Sequence, residues 1–414
     1  MSPDVFILIG ARALRMFAYG FLSVILALYL TDIGFSETQT GVTFTVALAG
    51  GTLITAGISL LADRWGRRRV LMLFALIMAV SGIALATVRS FWFLLVVAAL
   101  GTVSPSGYEI GPFQSLEQAA LSSAGGRVRV RFFSWYNLAG SLAIALGGLV
   151  VGVSPRLLGA IGSPLPPQRL LVWAFTVVAL VLVLVYRLLS PNVEAGDAGA
   201  ARRTVGLQDS RRAVLRLSML FGVDALAGGL IIQSLVAYWF SQRFGVTLEQ
   251  LGFVFFGTNL LSAASFLVAA PLAERFGLLN TMVFTHLPSN LLLISVAFMP
   301  TWPLAVGALL LRHALSQMDV PTRQAYTMVL VTPSERAAAA GVTNAVRTGA
   351  AAFSPTISGL AFQTAQLGLP FILSGVLKSV YDITLWLMFR TVPLNEESPR
   401  VGRVRRPSDI VEGG

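Results

Sequence analysis

Twelve long apolar stretches set the first constraint on this chain. They run over residues 5–31, 38–61, 69–88, 91–121, 132–153, 168–189, 214–240, 247–271, 278–299, 302–331, 338–362 and 366–390. Each reaches the roughly 20 residues that a helix needs to cross the hydrocarbon core of a bilayer. In lipid the backbone must satisfy its own hydrogen bonds, so stretches of this length are expected as helices. Charge is correspondingly scarce: 12% of the 414 residues are Asp, Glu, Lys or Arg, against about 25% in soluble domains. That balance excludes a disordered chain, a coiled coil and an ordinary cytosolic enzyme. With no Cys, there is no disulfide, thiolate nucleophile or Cys-ligated metal.

The charge left over is sorted along the chain. With the N-terminus inside, twenty Arg and Lys fall in cytoplasmic loops and the tail, clustered at 64–69, 127–131, 187–216 and 390–406 together with Arg275 and Arg336. Four fall outside: Arg89, Arg156, Arg169 and Arg243. This is the positive-inside bias, and it places both termini in the cytoplasm. The net charge of +11 is thus accounted for by topology and by anionic lipid headgroups, and no nucleic-acid partner is expected. The first stretch lacks a basic flank and a small-residue cleavage site, so it reads as a retained helix and not as a signal peptide. The expected location is the bacterial inner (plasma) membrane.

The halves repeat. A shift of 211 carries Gly34 to Gly245, Gly41 to Gly252, and Leu61-Ala62-Asp63-Arg64-Trp65-Gly66 to Leu272-Ala273-Glu274-Arg275-Phe276-Gly277. Pro112 meets Pro321 at a shift of 209, and Asn137 meets Asn344 at 207. Six spans return the chain to the same side, so the halves run parallel. The expected fold is an all-α membrane protein of twelve transmembrane helices in two six-helix bundles, 1–190 and 213–391. A polar cytoplasmic linker, 191–212, joins them, and a cytoplasmic tail covers 392–414.

The run Gly57-Ile-Ser-Leu-Leu-Ala-Asp63-Arg64-Trp-Gly66-Arg67-Arg68-Arg69 resembles the signature loop between helices 2 and 3 of the major facilitator superfamily. The degenerate copy carrying Glu274, Arg275 and Gly277 stands where that family places it, between helices 8 and 9. The resemblance extends over the whole chain through span number, repeat and central linker. It implies that Asp63 helps to latch one conformation of an alternating-access cycle. Independently of the family, Gly66 permits a tight turn, and Arg67 to Arg69 anchor at the inner headgroup layer. Two features depart from the drug/proton antiporters of the family. Helix 5, Asn137-Leu-Ala-Gly140-Ser-Leu-Ala-Ile-Ala-Leu-Gly147-Gly148, has no Pro, and helix 4 carries Glu109 and Glu117 in place of an Arg.

The resemblance also implies that helices 1, 4, 7 and 10 line a central cavity. Those four hold Arg12 and Arg15, then Glu109 and Glu117, then Asp224, then Arg312, Asp319 and Arg323. A charge at mid-bilayer costs at least about 2.5–3.5 kcal/mol, so each needs a partner, a wet cavity or a route to the interface. Arg12 and Arg15 share a helix face and read as snorkelling side chains, an anion-binding pair or partners for Asp224. Glu109 and Asp319 are near-equivalent in the repeat and are expected halfway along long helices, where a buried carboxylate can exchange a proton near neutral pH. Pairing of Asp319 with Arg323 is the structural alternative. Pro321 predicts a kink. Glu117 is expected to pair with Arg127, Arg129 or Arg131, Lys378 with Asp382, and Arg347 to snorkel or meet Asp63. His313, beside Arg312, reads as a weak candidate for titration.

The sequence therefore reads as a secondary active transporter, proton-coupled, moving a small polar or charged solute, with an anion among the candidates. The residues assigned to substrate and proton coupling are Arg12, Arg15, Glu109, Asp224, Asp319 and Arg323. Its expected partners are that solute and the bilayer; no cofactor is expected beyond the proton gradient, and the chain reads as a monomer. Proton-driven efflux of amphipathic drugs is the alternative, disfavoured by the charged cavity. A membrane enzyme finds no support, as there is no nucleophile triad spacing, metal cluster or nucleotide loop.

Overall fold

The computed structural model describes residues 3–109, 111–122, 128–190, 193, 207, 210–332 and 335–392, apart from the side chains of 59–64, 122, 128–134 and 337. Most of the expected linker, the tail beyond 392, and the side chains of Asp63, Arg64, Arg129 and Arg131 lie outside the described residues. So does Arg127.

Among the described residues every apolar stretch contains helix. Seven helices make up the N-terminal half: α1 (Pro3–Asp32), α2 (Glu37–Trp65), α3 (Arg67–Thr87), α4 (Phe91–Ala99), α5 (Phe113–Ser122), α6 (Val128–Ala160) and α7 (Pro167–Arg187). Eight follow: α8 (Arg211–Gly229), α9 (Gln233–Phe244), α10 (Leu248–Phe276), α11 (Leu278–Val296), α12 (Trp302–Ser316), α13 (Asp319–Leu330), α14 (Arg336–Gln363) and α15 (Leu369–Phe389). Nine segments among the described residues are long and apolar enough to cross a membrane. The stretches 91–121, 302–331 and 338–362 are not among them. The first two are broken into helix pairs, and all three carry much of the chain's intramembrane polarity.

The repeat is visible in backbone geometry. Gly66 and Gly277 are the single residues that separate α2 from α3 and α10 from α11, at φ 89°, ψ 130° and φ 85°, ψ 156°. That region is essentially restricted to glycine, which explains why both copies of the motif keep it. Gly34 and Gly245 also take positive φ, 103° and 64°. Gly245 closes α9 as a left-handed C-cap. Downstream of it Thr247 starts α10 with a capping box to Gln250.

The two groups of helices meet mainly at the end of the bundle opposite the chain termini, hereafter the far end. Helix α2 crosses α14 where Gly41 faces the backbone of Pro355 and Gly359, and α6 crosses α10 where Gly148 and Gly152 face Gly252 and Phe256. The 207 shift that matches Asn137 to Asn344 also carries Gly152 to Gly359, so the two crossings are copies of each other. Small residues let the backbones approach this closely. Tyr238 donates to Glu37 at 2.7 Å, the Thr45 and Thr356 hydroxyls share a hydrogen bond at 2.8 Å, and Gln233 donates to Ser23 at 2.9 Å. Thr38 with Gln363 and Arg156 with Glu249 add further bridges across the same end. Toward the termini the picture changes: a Cβ added at Gly57, Gly341 or Gly349, on the same helix pair, meets nothing within 4 Å.

Candidate functional site

Helix breaks position the buried charges. Between α4 and α5 the described residues 100–109, 111 and 112 are not helical. Gly101, Gly107 and Gly111 stand at φ 62°, 78° and 82°, and Pro105 and Pro112 cannot donate backbone hydrogen bonds. Irregular backbone at such depth is tolerated only where protein covers it or it lines a cavity. Here Ser234 binds the Pro105 carbonyl through both its amide (3.1 Å) and its hydroxyl (2.7 Å), and Ser104 donates to the Tyr108 carbonyl at 2.6 Å. Glu109 therefore sits on an unwound segment, not halfway along a helix as expected. Asp319 is likewise the first residue of α13, directly after a break at Gln317 and Met318. The bend falls upstream of Pro321, because a proline ring strikes the carbonyl four residues before it, which here is that of Gln317.

Two ion clusters form, one in each half. In the N-terminal half Arg15 is wholly buried and clamps Glu117 with two bonds, 2.9 and 2.7 Å. Its Nε donates to Glu109, which also accepts from Arg12. Tyr186 and Tyr136 donate to the two oxygens of Glu117 at 2.7 and 2.6 Å. Phe113 lies under the Arg15 guanidinium and Tyr136 under that of Arg12, with 4.5 and 4.4 Å to the ring centres. Two cations face two carboxylates, so this cluster is neutral. Glu117, expected at the basic loop 127–131, is thus a partner of Arg15. Arg12 and Arg15 do not reach the interface, nor do they meet Asp224.

In the C-terminal half Asp224, on α8, accepts from Lys378 at 2.5 Å, Arg347 at 3.0 Å and Arg323 at 3.1 Å. The same Nη1 of Arg323 donates to Asp319 at 2.7 Å, so the expected i, i+4 pair is present but shared. Lys378 and Asp382 do not form the local pair expected from their spacing, since they leave α15 toward different neighbours. Asp382 receives Asn290 at 2.7 Å and lies 3.0 Å from His286 Nδ1. Arg347 points inward to Asp224 and not toward the interface. His313 Nδ1 is 2.8 Å from the Leu309 carbonyl, which fits the neutral Nδ1–H tautomer.

The motif residues lie at the terminal end. Glu274 and Arg275 are exposed, with Arg275 over the Phe276 ring at 5.3 Å. Arg68 donates to the Arg187 carbonyl at 2.6 Å and Arg67 reaches that of Val193 at 3.5 Å. Sequence comparison then decides the family: residues 8–238 and 217–412 match the Major Facilitator Superfamily. The chain belongs to the Major Facilitator Superfamily. It is a membrane transporter, not an enzyme. An uncharacterized membrane protein of Saccharomyces cerevisiae, YJR124C, is 27% identical over 422 residues, covering 94% of each chain. Among solved structures, the nucleoside transporter NupG superposes with TM-score 0.74 at 15% identity, over 94% of this chain and all of its own. A bacterial homolog of the human lysosomal transporter Spinster, in an inward-facing and unoccupied conformation, also gives 0.74 at 15%, over 95% and 98%. At such identities the likeness to this superfamily's solved members concerns the fold.

Proposed function

We propose that this transporter is proton-coupled, works by alternating access, and carries a small charged solute between its two halves. The observation that carries the reading is the arrangement of Asp319, Arg323 and Asp224. Among the described residues Asp224 has three cationic partners within ion-pair distance, whereas Asp319 has a share of one. Of these two carboxylates, Asp319 is therefore the one whose neutralisation removes fewer ion pairs. It also stands at a helix break, where a small change in charge can move α13 against α12. Proton binding at Asp319 would release Arg323 wholly to Asp224, giving the two discrete arrangements that coupling requires. With both termini cytoplasmic, the closed far end is the outer one, so the described state opens inward.

The absence of Cys in the natural sequence makes the cycle directly measurable. Spin labels at Thr38→Cys and Gln363→Cys report the far end; a pair at Ala56→Cys and Gly341→Cys reports the terminal end. On lowering the pH the two distance distributions are expected to shift in opposite directions. Gly252→Leu places a side chain against the backbone of Gly152, and overpacking of this kind costs about 1–3 kcal/mol. That is enough to move a two-state population about 5-fold or more, so the variant should lengthen the far-end distance and shorten the other. Distances that stay fixed at both ends, in wild type and variant alike, would refute alternating access about these crossings.

A further inference from the structure

The C-terminal half holds more positive than negative charge. Arg323, Arg347 and Lys378 pair with Asp224 and Asp319, Asp382 is taken up by His286 and Asn290, and Arg312 is the fourth buried cation. The surplus is localised at Arg312. Its side chain is only 7% exposed, and among the described residues no carboxylate lies within ion-pair distance of it. Nε has no hydrogen-bond partner, and Nη1 reaches only the Nε2 of His313, at 3.4 Å. That nitrogen is free to accept because Nδ1 is spent on Leu309. One turn further along α12 the buried Ser316 hydroxyl is also without a partner, and i, i+4 spacing puts it on the same face. Across from them, on the unwound segment of the other half, Tyr108 is 51% exposed despite its intramembrane position. It lies near enough to Arg312 to interact electrostatically, as Asp319 and Asp224 do from beyond ion-pair distance.

A buried guanidinium without a paired carboxylate is costly, and its planar fork matches a carboxylate or phosphate. We infer that Arg312, with Ser316 beside it and Tyr108 facing it, receives an anionic group of the transported solute. The substrate is then an organic anion bearing a carboxylate or a phosphate. This rests on the transporter reading above and deepens it, because the bound anion supplies the direct ion-pair partner that Arg312 lacks among the described residues. It also explains why the neutral N-terminal cluster and the charged C-terminal one differ, although the two halves repeat.

The test is thermal unfolding of the purified full-length protein in detergent, with benzoate, succinate, glycerol 3-phosphate and inorganic phosphate as probes. Xylose and tetraphenylphosphonium serve as the neutral and cationic comparisons, all at matched ionic strength. At least one of the anions is expected to raise the Tm with concentration, and the two comparisons are not. A response to benzoate or succinate alone assigns a carboxylate, and one to the phosphates alone assigns a phosphate. Arg312→Gln should abolish the shift and Arg312→Lys should weaken it. Without any probe, Arg312→Gln should melt above wild type, since it removes a buried charge that has no direct ion-pair partner. Stabilisation by xylose or tetraphenylphosphonium that survives Arg312→Gln would overturn the inference, as would a lower Tm of the probe-free variant. Failure of every anion to shift the wild type also counts against it. These readouts measure binding, so their failure is distinct from a failure of proton-coupled flux.

Discussion

Asp319→Asn is expected to yield a protein that folds and inserts normally yet moves no proton with its solute. The amide is close in size and can still meet Arg323, which retains Asp224 at 3.1 Å, so little stability is at stake. What disappears is the ability to take up and release a proton at the break between α12 and α13. Coupled flux should fall by about two orders of magnitude or more, the scale on which loss of a proton-transfer group is felt. Solute exchange that needs no net proton movement should survive. Reconstituted vesicles read both quantities. Coupled flux at the wild-type rate in this variant would remove Asp319 from the mechanism.

Arg15→Met is expected to do the reverse, costing stability before function is reached. Arg15 holds both Glu117 oxygens and one of Glu109 in a site with no exposure. Removing one partner of a buried pair strands the other charge and costs about 3–5 kcal/mol. The double variant Arg15→Met with Glu117→Gln should recover a large part of that loss, because the stranded charge is gone. Chemical unfolding in detergent gives the comparison. A single variant within about 0.5 kcal/mol of wild type, the scatter of an ordinary surface substitution, would show that the cluster is not a structural lock.

These two outcomes divide what the sequence alone had grouped together. Arg12, Arg15, Glu109, Asp224, Asp319 and Arg323 all read as one charged cavity set, because helix number and depth are visible in hydropathy. Which charge meets which is not. Partner choice between helices depends on rotation about each axis, and nothing in a spacing reports that. Lys378 and Asp382 share a face at i, i+4, yet α15 is turned so that one meets Asp224 and the other His286 and Asn290. Arg347 joined Asp224 for the same reason.

The helix breaks were closer to legible. Gly101, Pro105, Gly107, Gly111 and Pro112 fall within twelve residues of one apolar stretch, a density that a continuous helix would not tolerate. Hydropathy averaged over the stretch hides it. The glycine pairs gave a stronger signal. Gly41 and Gly252 emerge from the 211 shift, and the structure places each at a crossing between halves. Gly66 and Gly277 were visible as repeated motif positions, and their positive φ supplies the reason.

Proton coupling is read out by proton flux into proteoliposomes loaded with a pH-sensitive dye. The protein is reconstituted, and small organic anions are added outside, with neutral sugars and lipophilic cations for comparison. The internal pH is expected to change in a way that depends on an organic anion, saturates with its concentration, and vanishes in Asp319→Asn. Acidification would mark symport in the direction tested, and alkalinisation would mark exchange. Solute accumulation by the folded wild-type protein without any pH change would contradict proton coupling outright.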